Sequence, residues 1–161
     1  MKIFFLKKKK LYIILLNFII FLDYYIKSLI LKNFAINQIK VISLNINILY
    51  VKNYGLIFGL FSVIKIFQNK YLFIIYFSII FLLIFKIYKL IIKNTKNNFS
   101  LILIVSGSIG NLIDRIKYGY IIDFIDFHYK SLHFPIFNIS DFSISIGIII
   151  YVLKILNSKK F

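Results

Sequence analysis

The stretch GNLIDRIKYGYIIDFIDF, residues 110–127, decides how this chain is interpreted, because it sets carboxylates between blocks of apolar residues. The chain has five acidic side chains, all aspartates, and Asp114, Asp123 and Asp126 lie in this stretch. Asp23 and Asp141 are the other two. A charge among apolar residues is costly unless it is paired or serves a site. The carboxylates of this stretch are therefore expected to be paired with cations or to serve a site, and the rest of the sequence bears on which.

The composition is that of a membrane protein. Hydrophobic residues make up 61% of the 161 residues, against about 45–50% in soluble domains, and the length suits one domain over residues 1–161. The absence of cysteine excludes disulfides, a thiol nucleophile and a cysteine metal site. The net charge of +16 accompanies an excess of Ile, Lys, Asn, Phe and Tyr that resembles AT-rich codon drift. Since no clustered basic face emerges, we expect no nucleic-acid binding.

Four apolar segments approach the length of about 20 residues that a bilayer-spanning helix needs. They are Leu11–Leu31, Tyr71–Ile92, Phe99–Ile116 and Asn138–Leu156. The first follows a lysine run, as a secretory signal does, but it continues past Asp23 and no A-x-A-like cleavage site follows. The sequence therefore predicts an α-helical integral membrane protein with four transmembrane helices, the first one uncleaved.

The lysines predict the orientation of these helices. They cluster at the amino terminus, between the second and third spans, and at the carboxyl end: Lys2, Lys7–Lys10, Lys86, Lys89, Lys93, Lys96, Lys154, Lys159 and Lys160. With four spans these regions share one side, so we expect both termini in the cytoplasm. The connections at about 32–70 and 117–137 then lie outside, although the first of them also carries lysines.

The first outer connection is expected to be folded. Its segment SLNINILYV, residues 43–51, alternates polar and apolar side chains, which is typical of a strand. Gly55 and Gly59 allow bends after it. The sequence therefore predicts a small outer β-cradle between helices 1 and 2.

The predicted topology brings the polar residues to the outer interface. Asp23 and Lys27 are one helical turn apart and can pair. Together with Asp114 and Arg115 they are interpreted first as a structural polar network. Three amides belong to the same region: Asn53, Asn111 and Asn138.

Asp123 and Asp141 differ from the other aspartates, because neither has a cation next to it in the sequence. Two carboxylates in a partly dry site cannot both ionise cheaply, so they share a proton, as in an aspartic protease. Spacing alone leaves this pair as one possibility beside a structural role. Asp126 would face the opposite side of a strand from Asp123 and is interpreted as a solvated interfacial carboxylate. His128 and His133 are interpreted as interfacial side chains rather than ligands, and no metal is expected.

Five motifs in order resemble a known family. They are D-x-x-x-K at 23–27, NYGLIFG at 53–59, GSIGNLIDR at 107–115, YIIDFIDF at 120–127 and FNISD at 137–141. Together they resemble the bacterial lipoprotein signal peptidases, or signal peptidase II. Each motif alone is weak, but the resemblance covers residues 23 to about 147.

The resemblance implies a four-span aspartic endopeptidase of the bacterial inner membrane with its active site near the outer face. It implies removal of signal peptides from diacylglyceryl-modified prolipoproteins, just before the lipidated cysteine. The implied catalytic pair is Asp123 and Asp141. The positions implied to support the site or substrate are Asn53, Asn111, Arg115 and Asn138, and those implied or interpreted as structural are Asp23, Lys27 and Asp114. No cofactor is implied, and we expect a monomer in contact with membrane lipid.

The chain also departs from the family pattern. Tyr24 replaces a usual glutamine, and Ser140 replaces the usual alanine before the second catalytic aspartate. Leu56 and Ile57 replace small residues and are expected to narrow the substrate groove.

Two other functions remain compatible with clustered carboxylates in a membrane. One is a Mg²⁺-dependent phosphatidyl-alcohol transferase, since Gly119-x-x-x-Asp123 echoes part of that motif, although the upstream Asp-x-x-Asp-Gly is absent. The other is a proton-conducting or structural subunit, in which a single buried carboxylate would matter.

Overall fold

In the computed structural model, residues 2–54 and 99–158 are described, together with a few separate positions between 74 and 89. Within these residues the long helices are α1 (Lys2–Asn33), α2 (Phe99–Tyr118) and α3 (Ile139–Ser158), each long and apolar enough to cross a membrane. They confirm the predicted spans 11–31, 99–116 and 138–156 to within a few residues, except that α1 begins earlier. The predicted span 71–92 lies almost entirely outside the described residues.

Helices α2 and α3 approach each other closely through small residues. A Cβ at Gly147 of α3 would lie 2.7 Å from the carbonyl oxygen of Ser100 in α2, so no larger residue fits without movement. Small residues at a helix interface allow such close backbone contact within a membrane. On the other side of α2, Tyr12 of α1 packs against Ile102 and Val105. The three helices thus form one bundle with α2 at its centre.

A four-stranded antiparallel sheet stands at one end of this bundle. Its strands are β1 (Ile39–Ser43), β2 (Ile46–Asn53), β3 (Ile121–Tyr129) and β4 (Leu132–His133), in the order β1-β2-β3-β4. The prediction of a cradle between the first and second predicted spans is therefore wrong in part, because the connection at about 117–137 supplies two of the four strands. Residues 44 and 45 also form a turn rather than part of a single strand over 43–51. The physical reason is that β2, paired with β1 alone, would leave the backbone groups of its other edge without partners, and β3 pairs with that edge.

The entry into β3 depends on Gly119. This residue has φ +78° and its N–H donates to the carbonyl of Arg115 at 3.0 Å, which ends α2 in a left-handed cap. The chain then turns into β3, and Ile122 and Phe124 pack with Ile30 and Tyr50 beneath the sheet. The strand is thereby held against the ends of α1 and α2.

Candidate active site

Asp123 lies in the middle of this arrangement and is only 2% exposed. The amide of Asn53, at the end of β2, donates from Nδ2 to Asp123 Oδ2 at 2.8 Å. The amide of Asn138 donates from Nδ2 to Asp123 Oδ1 at 2.7 Å. Both carboxyl oxygens are thus held by neutral donors that arrive from different segments of the chain.

Asn138 is also the N-terminal cap of α3. Its Oδ1 accepts the backbone N–H of Asp141 at 2.8 Å, and its carbonyl accepts the N–H of Phe142 at 3.1 Å. An asparagine that accepts the N–H three residues later is a strongly favoured cap. This local preference fixes Asp141 in the first helical turn, where the helix dipole favours negative charge. One side chain therefore positions both aspartates.

A second amide completes the link between the two aspartates. Asn111 of α2 donates from Nδ2 to Asp141 Oδ1 at 2.7 Å. Its Oδ1 accepts from Asn138 Nδ2 and from Lys27 Nζ, each at 3.1 Å. Asp123 and Asp141 are thus joined through two neutral amides, and Lys27 donates a hydrogen bond to Asn111 rather than to either aspartate.

Burial, and after it the nearby charge of Asp141, raise the pKa of Asp123 to about 7. The hydrogen bonds from Asn53 and Asn138 and the charge of Lys27 act in the opposite direction, but their effect is smaller. Among the described residues, neither aspartate forms an ion pair. One carboxyl group can therefore keep a proton near neutral pH while the other is ionised.

The buried charges beside this pair form a separate network. Lys27 Nζ lies 2.7 Å from Asp23 Oδ2 and 2.7 Å from Asp114 Oδ2, so the pairing expected from the spacing of Asp23 and Lys27 is present. Asp114 Oδ2 also accepts the N–H of Ile122 at 3.1 Å, and Asp23 Oδ1 accepts the N–H of Ser140 at 2.9 Å. The network therefore anchors the backbone immediately before Asp123 and before Asp141. Arg115 is buried in the last turn of α2.

The prediction that Asp126 is a solvated interfacial carboxylate is wrong, because this residue is only 5% exposed. His133 Nδ1 lies 2.7 Å from Asp126 Oδ1, and Asn47 Nδ2 donates to Asp126 Oδ2 at 2.8 Å. Burial raises the pKa of Asp126, but these two hydrogen bonds together with the electrostatic effect of the nearby histidines outweigh it and lower the pKa below its ordinary value. The sequence analysis missed Asn47 and His133 as partners, because alternation in a strand assigns a face but not what covers that face.

The two histidines lie side by side. His133 is half exposed, and its ring stacks on that of His128 with the centroids 4.8 Å apart. In the part of the chain that is described, no group of three metal-ligating side chains comes together. Leu56 and Ile57, expected to narrow a groove, lie outside the described residues, as do Gly55 and Gly59.

Comparisons with known proteins find matches over most of the chain. Residues 15–157 match the family described as signal peptidase (SPase) II. The chain is 45% identical over 151 residues to the lipoprotein signal peptidase of Buchnera aphidicola subsp. Schizaphis graminum, covering 91% of this chain and 96% of that protein. It is 42% identical over 144 residues to the enzyme of the same name from Thermodesulfovibrio yellowstonii, covering 88% and 90%.

Two solved structures, each described as a bacterial membrane enzyme, are also similar. One has a TM-score of 0.77 at 27% identity and covers 94% of this chain and 90% of its own. The other has a TM-score of 0.76 at 30% identity, with 91% and 93% covered. The likeness thus extends over the bundle and the sheet together.

Proposed function

The chain belongs to the signal peptidase II family and is a lipoprotein signal peptidase, a multi-pass aspartic peptidase of the bacterial membrane, and on this premise we propose that Asp123 and Asp141 are its catalytic pair. The observation that carries the proposal is the bridge through Asn138, whose amide group contacts the carboxyl group of Asp123 and the backbone of Asp141. Family membership excludes the two alternatives considered from the sequence, the phosphatidyl-alcohol transferase and the proton-conducting or structural subunit.

The proposed reaction is general acid–base hydrolysis of a peptide bond. The ionised carboxylate of the pair takes a proton from a water molecule, whose oxygen attacks the scissile carbonyl carbon. The protonated partner donates its proton to the carbonyl oxygen. When the tetrahedral intermediate collapses, the carbon–nitrogen bond breaks and the leaving amine takes a proton from one aspartic acid. One hydroxyl of the intermediate returns its proton to the other aspartate as the carboxyl product forms, so the pair again holds one proton. A pair that holds one proton between two acids supplies both functions at once.

The amides have a positioning role in this proposal. Asn53 and Asn138 orient the carboxyl group of Asp123, and Asn111 orients that of Asp141. Because these donors are neutral, they hold the geometry without fixing which carboxyl group carries the proton. Arg115 is assigned to the support of the site from the family motif.

The substrate proposed for this pair is a prolipoprotein whose cysteine carries diacylglycerol, cut just before that cysteine. The two aspartates lie where the sheet meets the ends of α2 and α3, and the lysine distribution favours that end as the outer one. The enzyme then has both termini in the cytoplasm, acts as a monomer and meets its lipidated substrate from within the bilayer.

The test uses the purified enzyme in detergent with a diacylglyceryl-modified prolipoprotein. Asp123→Asn and Asp141→Asn are each expected to lower kcat by about 10²–10⁴-fold, the usual contribution of a general acid or base. The double variant should be scarcely worse than either single one, since the residues act as a unit. Cleavage is expected to survive excess EDTA.

Asp126→Asn is the matched control, because it makes the same chemical change three residues along β3. It is expected to retain most of the activity, and all variants should insert and purify like the parent. Substantial cleavage by either Asp123→Asn or Asp141→Asn would refute the two-aspartate mechanism.

A further inference from the structure

Asp126 connects three segments of the chain on the face of β3 opposite to Asp123. Its Oδ2 accepts from Asn47 in β2, and its Oδ1 contacts Nδ1 of His133 in β4, at 2.8 Å and 2.7 Å. Asp123 and Asp126 are three residues apart on an extended strand, so their side chains point to opposite faces. We call Asn47, Asp126 and His133 the outer clasp.

The segment that follows β3 returns alongside it to the start of α3. After the pairing of His133 with His128, the N–H of Phe134 donates to the carbonyl of Phe127 at 2.9 Å. Phe137 and Ile125 then exchange two backbone hydrogen bonds, of 2.8 Å and 3.1 Å. The next residue along the chain is the cap of α3. This return segment, residues 132–138, therefore joins the strand that carries Asp123 to the helix that carries Asp141.

The outer clasp repeats the arrangement at the active site. At the site, Asn53 of β2 and Asn138 of the return segment both donate to Asp123. In the clasp, Asn47 of β2 and His133 at the start of the return segment both contact Asp126. The same three segments are thus tied together twice by side chains, once at the reacting groups and once on the opposite face of β3.

We propose that the outer clasp is a positioning device, which holds the return segment against β3 and thereby sets the spacing of Asp123 and Asp141. The inference rests on the proposed function, since it assumes that these two aspartates react together. Among the described residues, the titratable groups near Asp126 are His133 and His128, and Asn47 is neutral. Loss of the clasp frees the return segment on one face while the backbone pairing of Phe137 and Ile125 remains.

The test compares two substitutions at His133, which is half exposed and so is expected to tolerate replacement. His133→Leu removes the contact to Asp126, whereas His133→Asn keeps an amide donor of similar reach. Because misplacement by about 1 Å can cost roughly 100-fold in rate, His133→Leu is expected to lower kcat at least about tenfold with KM little changed. His133→Asn should recover most of that loss.

The same logic applies at Asp126. Asp126→Leu removes both contacts of the clasp, so it should lower kcat at least as much as His133→Leu. The double variant should be no slower than Asp126→Leu alone, because the contact with His133 is already lost there. Asp126→Asn should keep both hydrogen bonds, since a neutral histidine can accept at Nδ1. Asn45→Ala is the matched control: it removes the 2.9 Å bond from Asn45 to the carbonyl of His128, which also crosses the sheet but does not involve the return segment's side chains.

A second readout separates positioning from simple stabilisation. Part of the raised pKa of Asp123 comes from the charge of Asp141, so a wider spacing should move the alkaline limb of the pH–rate profile to lower pH in His133→Leu. If the clasp only stabilised the fold, His133→Leu would lower the unfolding temperature but leave kcat per folded molecule and the alkaline limb of the pH–rate profile unchanged. That result, or an equal loss in Asn45→Ala, would overturn the proposal. If Asp123→Asn is itself fully active, the proposed function fails instead.

Discussion

Lys27→Met is the sharpest test of how the bundle tolerates its buried charges. Lys27 is 2% exposed, and its ammonium group contacts Asp23 and Asp114 at 2.7 Å and Asn111 at 3.1 Å. Methionine has nearly the same length and keeps the aliphatic packing. The substitution therefore removes the positive charge and its three contacts, and little else.

The expected loss of stability is large because two carboxylates remain behind. Removing one partner from a buried ion pair typically costs about 3–5 kcal/mol, since the remaining charge is left uncompensated. Lys27 serves two such partners, so we expect the upper part of that range. Replacement of all the charges together is often close to neutral. The variant carrying Asp23→Asn and Asp114→Asn besides Lys27→Met should therefore recover most of the loss.

The assay is denaturant-induced unfolding of each purified variant in the same detergent. Lys117→Met is the control, because Lys117 is an exposed lysine whose amine donates to the hydroxyl of Tyr24 at 3.2 Å. It should unfold like the parent. If Lys27→Met unfolds at the same midpoint as Lys117→Met, the buried network does not stabilise the bundle. If the triple variant recovers nothing, the loss comes from packing rather than from stranded charge.

Three further predictions follow from single features. Because the pKa of Asp123 is raised to about 7, the protonated acid is present below that pH and is lost above it. The kcat should therefore fall about tenfold per pH unit on the alkaline side, and a flat pH–rate profile to pH 9 would contradict this. Leu44 is 92% exposed in the turn before β2. Leu44→Cys should therefore react with a thiol reagent that cannot cross the inner membrane, added to whole cells whose outer membrane has been made permeable. Labelling only after lysis would reverse the proposed orientation. Gly119→Ala should destabilise the protein by roughly 1–2 kcal/mol, the cost of a left-handed residue with a Cβ. No atom lies within 4 Å of that Cβ, so a larger loss in unfolding experiments would point to a cause other than backbone conformation.

The sequence predicted correctly the features that depend on residues close together along the chain. The four-residue separation of Asp23 and Lys27 was enough to predict their pairing, because helix geometry alone brings them together. The apolar runs predicted three helices to within a few residues of their bounds, except that α1 begins at Lys2 rather than at Leu11. The cross-helix contact of Lys27 with Asp114 was not predictable, because it depends on how α1 and α2 are rotated against each other.

The strands show where sequence patterns fail. Residues 121–124 of β3 are all buried, so the segment lacks the alternation that reveals a half-exposed strand, and the sequence analysis did not identify it. The same burial explains the error at Asp126. The odd sequence separation of Asp123 and Asp126 correctly assigns their side chains to opposite faces of the strand. In the folded chain, however, β4 and Asn47 cover the face that carries Asp126, and the local sequence indicates neither of them.

The placement of cations explains why five aspartates can gather in so apolar a chain and still differ in chemistry. Asp23 and Asp114 share the buried cation Lys27. Among the described residues, the side-chain hydrogen bonds that the structure shows to Asp123 and Asp141 come from amides. A carboxylate held by a buried cation is stabilised in its ionised form and gives up the ability to carry a proton. Neutral donors hold a carboxyl group in place but leave its proton free to move between two acids. The separation of cations from amides, more than the position of each aspartate along the chain, therefore distinguishes the residues that hold this bundle together from the pair proposed to cut the substrate.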